Sequence, residues 1–191
     1  MRIIAGDLKG RRIDAPSWEG LRPTSDKLRE ALFNMLAASV PGATVLDAYA
    51  GTGAIGIEAL SRGAAHVTFV DSDRRAAALI DANLQRLGVR DRYAIIRAGL
   101  ADAVRQLGDR RFDIIFLDPP YGPTTLADAL SLATPLTTAD TVVVVEHAAR
   151  DAAPERAGAL ARVRDRRSGD SALSFFRRRD AGDAPERSGL A

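Results

Sequence analysis

From residue 43 onward, the hydrophobic positions alternate between two rhythms. Short apolar runs at 44–47 (TVLD), 66–70 (HVTFV), 93–97 (YAIIR), 112–117 (FDIIFL) and 141–146 (TVVVVE) have the length and composition of buried strands. Alanine-rich stretches at about 54–62, 73–87, 100–107 and 124–133 lie between them and predict helices. Near-continuous apolar strands separated by helices predict a parallel sheet covered on both faces.

The flanks follow other patterns. RIIAGDLKGRRIDAP predicts two short strands around Gly6 and Gly10. In LRPTSDKLREALFNMLAAS, Thr24 or Ser25 can cap a helix whose apolar stripe is Leu28, Ala31, Leu32, Met35 and Leu36. Beyond Ala148 comes a helical or irregular stretch. The segments RVRDRR and ALSFFRRR follow, joined by Ser168-Gly169-Asp170-Ser171, which predicts an antiparallel hairpin finishing the sheet. The expected organisation is an N-terminal hairpin and helix over 1–40, a core domain over 41–180 and a disordered tail over 181–191.

Composition narrows the possibilities. At 191 residues and 46% hydrophobic, the chain fits one domain plus an appendage. No apolar stretch approaches the ~18 residues of a membrane span, and the N-terminus lacks a signal peptide's apolar centre, so a cytoplasmic protein is expected. There is no cysteine, and His66 and His147 are the only histidines, so no metal site is expected. Charge is uneven: net +2 over 1–30, −3 over 31–149 and +3 over 150–191. Basic flanks suit a nucleic-acid partner, although a solvated surface accounts for them equally well.

The first strand of the core leads into Asp47-Ala48-Tyr49-Ala50-Gly51-Thr52-Gly53-Ala54-Ile55-Gly56. Gly51, Gly53 and Gly56 form G-x-G-x-x-G after a strand and before a helix, a pattern that binds nucleotides or nucleosides at a topological switch point. Asp71 ends the second strand, where an acidic residue can accept hydrogen bonds from ribose hydroxyls. The plainer alternative, a helix-capping aspartate, fits Asp73 better.

The fourth strand runs straight into Asp118-Pro119-Pro120-Tyr121. An ionised carboxylate accepts an N–H hydrogen bond. Two prolines remove backbone donors and leave carbonyl acceptors. An aromatic ring can stack on a base. Together they suit a planar, amine-bearing group, although a Pro-Pro turn with a surface tyrosine has the same spelling.

These motifs carry a family resemblance. An acidic residue such as Asp47 before A-G-[ST]-G resembles S-adenosylmethionine enzymes, and adding DPPY resembles the amino-group methyltransferases. The N-terminal MRIIAGDLKGRRIDAP, then RPTSDKLREALFN, then DAYAGTGAIGIEALSRGA is similar to the RsmD family, bacterial guanine-N2 methylases of 16S ribosomal RNA, from residue 1 to about 178. The blocks Arg22-Pro23-Thr24 and Ser61-Arg62-Gly63-Ala64 are the more specific part of the match.

The resemblance implies a Rossmann-like S-adenosylmethionine-dependent methyltransferase fold, with a seven-stranded, mostly parallel sheet and a C-terminal antiparallel hairpin. It implies a monomer acting on ribosomal RNA, within a 30S subunit or its precursor. Cofactor contacts are implied at Asp47, Tyr49, Ala50, Gly51, Thr52, Gly53, Asp71, Ser72, Gly99 and Leu100. Catalytic positions are implied at Asp118, Pro119, Pro120 and Tyr121, and RNA contacts at Arg2, Lys9, Arg11, Arg12, Arg22 and Thr24. Thr24 has a second reading as a helix cap, and Glu146 and His147 read either as a supporting pair or as a plain strand end. Asn34 and Asn83 are expected to serve helix packing or caps.

Two positions depart from the family pattern. Arg97-Ala98-Gly99-Leu100 lacks an acidic or Asn side chain for the cofactor adenine, and Ser168 replaces a tyrosine before Gly-Asp. Other readings on the same scaffold are a methylase of adenine N6 in DNA or of protein glutamine. A non-catalytic RNA-binding assembly factor is a further alternative. A nicotinamide dehydrogenase lacks a His, Lys or Tyr constellation set against the glycine loop.

Overall fold

The computed structural model describes residues 1–15, 25–120 and 123–179. Its centre is one sheet of eight strands in the order β3-β2-β1-β4-β5-β8-β7-β6. The strands are β1 (Thr44–Ala48), β2 (His66–Asp71), β3 (Tyr93–Arg97), β4 (Ile114–Leu117), β5 (Val142–Ala148), β6 (Arg156–Ala157), β7 (Leu160–Ser168) and β8 (Ser171–Arg178). β1 to β5 are parallel, while β8 joins β5 antiparallel and pairs with β7 in a hairpin. The seven expected strands are present. The eighth, β6, is a two-residue edge within the stretch expected to be helical or irregular.

Helices cover both faces, as strands buried on two sides require. They are α1 (Asp26–Met35), α2 (Ala54–Ser61), α3 (Arg74–Leu87), α4 (Leu100–Leu107) and α5 (Pro123–Ala133). Alternation along the strands divides the core. Val45, Phe69, Phe116 and Val144 face one layer with Leu28, Leu32 and Phe33 of α1, whereas Leu46, Val70, Leu117 and Val145 face the other with α4 and α5. Ser25 begins α1, with its Oγ accepting the Leu28 N–H at 3.2 Å. Thr24, its expected rival, lies outside the described residues, as do Arg22, Tyr121 and the tail 181–191.

The N-terminal segment joins this same core through Ile3 and Ile13. Its two expected strands reduce to a single antiparallel bridge, Arg2 to Arg12, flanked by Ile3–Arg11 and Ile13–Met1 backbone bonds, because the residues between, Ile4, Ala5, Asp7 and Leu8, turn their N–H groups to Glu58 and Ser61 of α2. Buried Glu58 of α2 accepts the N–H groups of Ile4 (2.8 Å) and Ala5 (3.0 Å) and pairs with Arg62. Arg29 of α1, also buried, donates to the Arg2 carbonyl and to Asp26. Residues 1–15 are thus tied to α1, α2 and α3.

Candidate active site at the carboxyl edge of the sheet

The strand order reverses between β1 and its neighbours β2 and β4, so a crevice opens outside the carboxyl ends of these strands. Here β1 gives way after Ala48 to Tyr49, whose φ of 60° is left-handed and costs a non-glycine residue about 1 kcal/mol or more. The chain turns through Gly51 (φ 53°) and Gly53 (φ 74°) into α2. Gly53 is the N-cap, with no side chain to satisfy the first turn. Asp47 does so instead: its Oδ2 accepts the Gly56 N–H at 2.8 Å.

Asp71 bridges two turns. One oxygen accepts the Gly51 N–H at 2.8 Å and the other the Asp73 N–H at 2.8 Å. Each carboxylate oxygen has a further lone pair for a ligand hydroxyl. The capping alternative goes to Asp73, whose side chain accepts the Arg75 N–H at the start of α3. Ser72 is exposed beside Asp71. Gly99 precedes α4 without a side-chain cap, and Leu100 is buried in its first turn. Gly99 thus presents backbone groups and no side chain at that edge.

Asp118 follows β4, held by its N–H to the Ala48 carbonyl at 3.3 Å. Pro119 is buried and Pro120 exposed. Register places Asp118 on the same sheet face as Asp47 and Glu146, because Phe116 pairs with Asp47, and Leu117 with Val145. Asp47 and Glu146 are buried. Burial pushes the Asp118 carboxyl well above the usual range, and the negative charges of Glu146 and Asp47 push it further. Burial likewise raises Asp47 to about 8, against the Gly56 N–H, which favours its ionised form. Such crowding of carboxylates in a crevice suits a cationic ligand or an amine that donates hydrogen bonds.

Sequence reasoning singled out Asp47, Asp71 and Asp118, which lie at this edge of the sheet, but treated Glu146 as one of a strand-end pair. The two members of that pair separate. Glu146 shares the face of Asp118, whereas His147 turns to the other face, with Nε2 2.8 Å from Ser174 Oγ. Alternation along β5 carries this distinction, but only with the neighbouring register known. Asn83, expected as packing, is more: Oδ1 accepts the Asp14 N–H at 2.9 Å, and Nδ2 donates weakly to Asp14 O and Thr52 O. It ties the glycine loop to the N-terminal segment.

The expected RNA contacts on that segment are placed unevenly. Arg11 donates to the Leu87 and Arg86 carbonyls at the end of α3, and Arg2 to the Gly10 carbonyl. Lys9 and Arg12 are exposed.

Comparison with known proteins gives consistent matches. The family model described as "Conserved hypothetical protein 95" matches residues 1–177. The chain is 36% identical to the protein YlbH of Bacillus subtilis over 183 residues, 94% of this chain and 100% of that one. It is 40% identical to "Ribosomal RNA small subunit methyltransferase D" of Haemophilus influenzae over 134 residues, 69% of each chain. The solved structure of yhhF from Escherichia coli superposes with a TM-score of 0.82 at 32% identity, covering 93% of this chain and 97% of that one.

Proposed function

The chain belongs to the family described as Conserved hypothetical protein 95, and from that premise we propose that it transfers a methyl group from S-adenosylmethionine to the exocyclic N2 amine of a guanine in small-subunit ribosomal RNA. The observation that carries the reading is the face shared by Asp47, Asp118 and Glu146 beside a glycine loop. It comes together with relatives named as ribosomal RNA small subunit methyltransferase D. Guanine N2 is the finer part of the reading and rests on the resemblance of the N-terminal blocks. Among the described residues, no helix is long and apolar enough to cross a membrane. We place the enzyme in the cytoplasm with its RNA, in or before the assembled 30S subunit.

The residues present fit the methyl donor. Gly51 and Gly53 turn the backbone through conformations that leave room beside it, and Asp71 can receive ribose hydroxyls. Asp47 holds the start of α2 and adds negative charge near a cationic ligand. When bound, S-adenosylmethionine supplies an electrophilic methyl on a sulfonium centre.

The chain's own groups then do the orienting. Asp118 and the Pro119 carbonyl accept the two N–H bonds of the amine and direct its nitrogen along the line of transfer. Accepting both hydrogens favours a pyramidal nitrogen and stabilises the positive charge that develops on it, so the interaction strengthens in the transition state. Water can carry the proton away afterwards. Tyr121, outside the described residues, is assigned to stacking on a base turned out of its helix.

The test is methyl transfer from a radiolabelled donor to naked 16S RNA, 30S particles and DNA, followed by nucleoside analysis. N2-methylguanosine is the expected product. N6-methyladenine in DNA would replace this reading with another.

The raised carboxyls predict a pH dependence. Without ligand, the folded protein holds protons on Asp47 and Asp118 at pH values where an unfolded chain does not. Asp47 therefore favours folding less as pH rises from about 4 to about 8, and Asp118 acts in the same direction. A cationic ligand lowers both and expels protons. The logarithm of its affinity should rise with pH by up to about one unit per pH unit for each coupled proton. Calorimetric titrations at several pH values, in buffers of different ionisation enthalpy, read this directly. A flat affinity with no proton release is the contrary result.

A further inference from the structure

The C-terminal hairpin carries a basic surface that the site does not use. Between α1 and β7 runs a groove of about 320 Å³, lined by Lys27, Glu30, Asn34 and Met35 on one wall and by Arg164 and Arg166 on the other. Lys27, Glu30 and Asn34 lie three and four residues apart, on the helix face opposite the buried Leu28, Leu32 and Phe33. Arg164 and Arg166 are exposed on β7, and neither they nor Lys27 has a side-chain partner among the described residues. With Glu30 counted against these three cations, the groove remains net positive.

Register connects this groove to the crevice. Leu117 pairs with Val145 across β4 and β5, so the next row places Asp118 beside Glu146. Glu146 pairs with Leu173 on β8, and Leu173 with Arg166 on β7. Residues directly opposite in a sheet share a face. Arg166 therefore stands on the face of Asp118, three strands away, roughly 14 Å at the usual strand spacing. β7 is antiparallel to β8, which is antiparallel to β5, so β7 runs parallel to β5 and its Arg166 end lies at the carboxyl edge. The N-terminal segment offers less: Arg11 is engaged with the end of α3 and Arg2 with Gly10.

We propose that the groove between α1 and β7 holds the phosphodiester backbone of the RNA strand flanking the target nucleotide, with Arg164, Arg166 and Lys27 on its phosphates. Arginine presents a planar fork that matches phosphate oxygens, and Asn34 can bond to a sugar hydroxyl or base edge. Glu30 faces the opposite wall and keeps the strand toward the arginines. The assignment rests on the RNA-methylation reading above.

The experiment is binding of fluorescein-labelled single-stranded RNA by anisotropy over a salt series, paired with methyl transfer to naked 16S RNA and to 30S particles. In Arg164→Gln/Arg166→Gln, the log–log salt slope should shrink by about 1.4, or ~0.7 per lost contact. The RNA Kd and the KM of transfer should rise about tenfold or more, with kcat at saturating RNA close to wild type. Melting temperature and S-adenosylmethionine affinity should match wild type, and Arg164→Lys/Arg166→Lys should recover most of the slope. An unchanged slope and KM in the glutamine variant overturns the groove assignment and leaves the methylation reading standing. A loss confined to 30S particles, with naked RNA unaffected, overturns it in favour of a ribosomal-protein contact. If the wild-type enzyme neither binds nor methylates any RNA, both fall together.

Discussion

Asp118→Ala should lose methyl transfer by about 10³-fold or more while binding S-adenosylmethionine nearly as wild type. Two effects combine in that figure. On the proposed mechanism, the variant removes an acceptor whose bond strengthens as charge develops on the nitrogen, and it releases the amine from its line of approach. The proposed cofactor side of the crevice uses other residues, Asp47, Asp71 and the glycine loop, so binding of the donor should persist. Single-turnover transfer with a labelled donor, beside calorimetric binding, separates the two quantities.

The more searching variant is Asp118→Asn. It keeps a carbonyl acceptor and loses the charge, so it should retain much more activity than alanine. It also removes a group that burial and two neighbouring carboxylates hold protonated to unusually high pH. Wild-type transfer should decline as pH falls through that raised value, because a protonated Asp118 offers an O–H where an acceptor is needed. The asparagine variant should lose that acid limb. Near-normal turnover in the alanine variant, or an acid limb that persists in the asparagine variant, sinks the role.

Gly56→Ala carries the second large effect. A Cβ at this position would lie 2.2 Å from Phe69 Cε1, 2.7 Å from Phe69 Cζ and 2.8 Å from Val67 Cγ1. Phe69 and Val67 are fully buried in β2, so the ring has nowhere to retreat. Relief requires α2 to move off the sheet, which strains the Gly56 N–H to Asp47 bond. The expected cost is about 3 kcal/mol, near the upper end for overpacking, or roughly 10 °C in melting temperature for a chain of this length. Donor affinity should fall too, because the same helix start carries the glycine loop. Phe69→Leu in the same chain makes room for the methyl group, and the pair should show favourable coupling in a double-mutant cycle. Additive losses would mean that the helix moves for another reason. Gly56 thus acts by close packing, whereas Gly53 acts by its left-handed backbone.

The N-terminal segment and the strand ends show where sequence reading stopped. The apolar runs located β1 to β5 almost residue by residue, since strands buried on both faces have little choice of side chain. The hairpin of β7 and β8 was legible from the Ser-Gly-Asp-Ser turn between two basic segments. The first residues were legible as basic and extended, but not as a segment whose backbone bonds to Glu58, Ser61 and Asn83. Those partners lie more than fifty residues away along the chain. Likewise, Glu146 and His147 are adjacent letters that serve opposite faces.

What the sequence by itself determined is the set of local rules: where strands and helices fall, where a glycine loop must turn, and which carboxylates end which strands. Periodicity and backbone sterics act over a few residues, so they can be read from a few letters. Only the tertiary structure decided that Glu146, Leu173 and Arg166 form one row across three strands, on the face of Asp118 just past β4. It also decided that the charge of Asp47 bears on Asp118 and that Arg11 caps α3. Strand order and register set those distances. Both are outcomes of packing the whole chain, and they turn separate acidic and basic letters into one crevice with a positive groove on the same face.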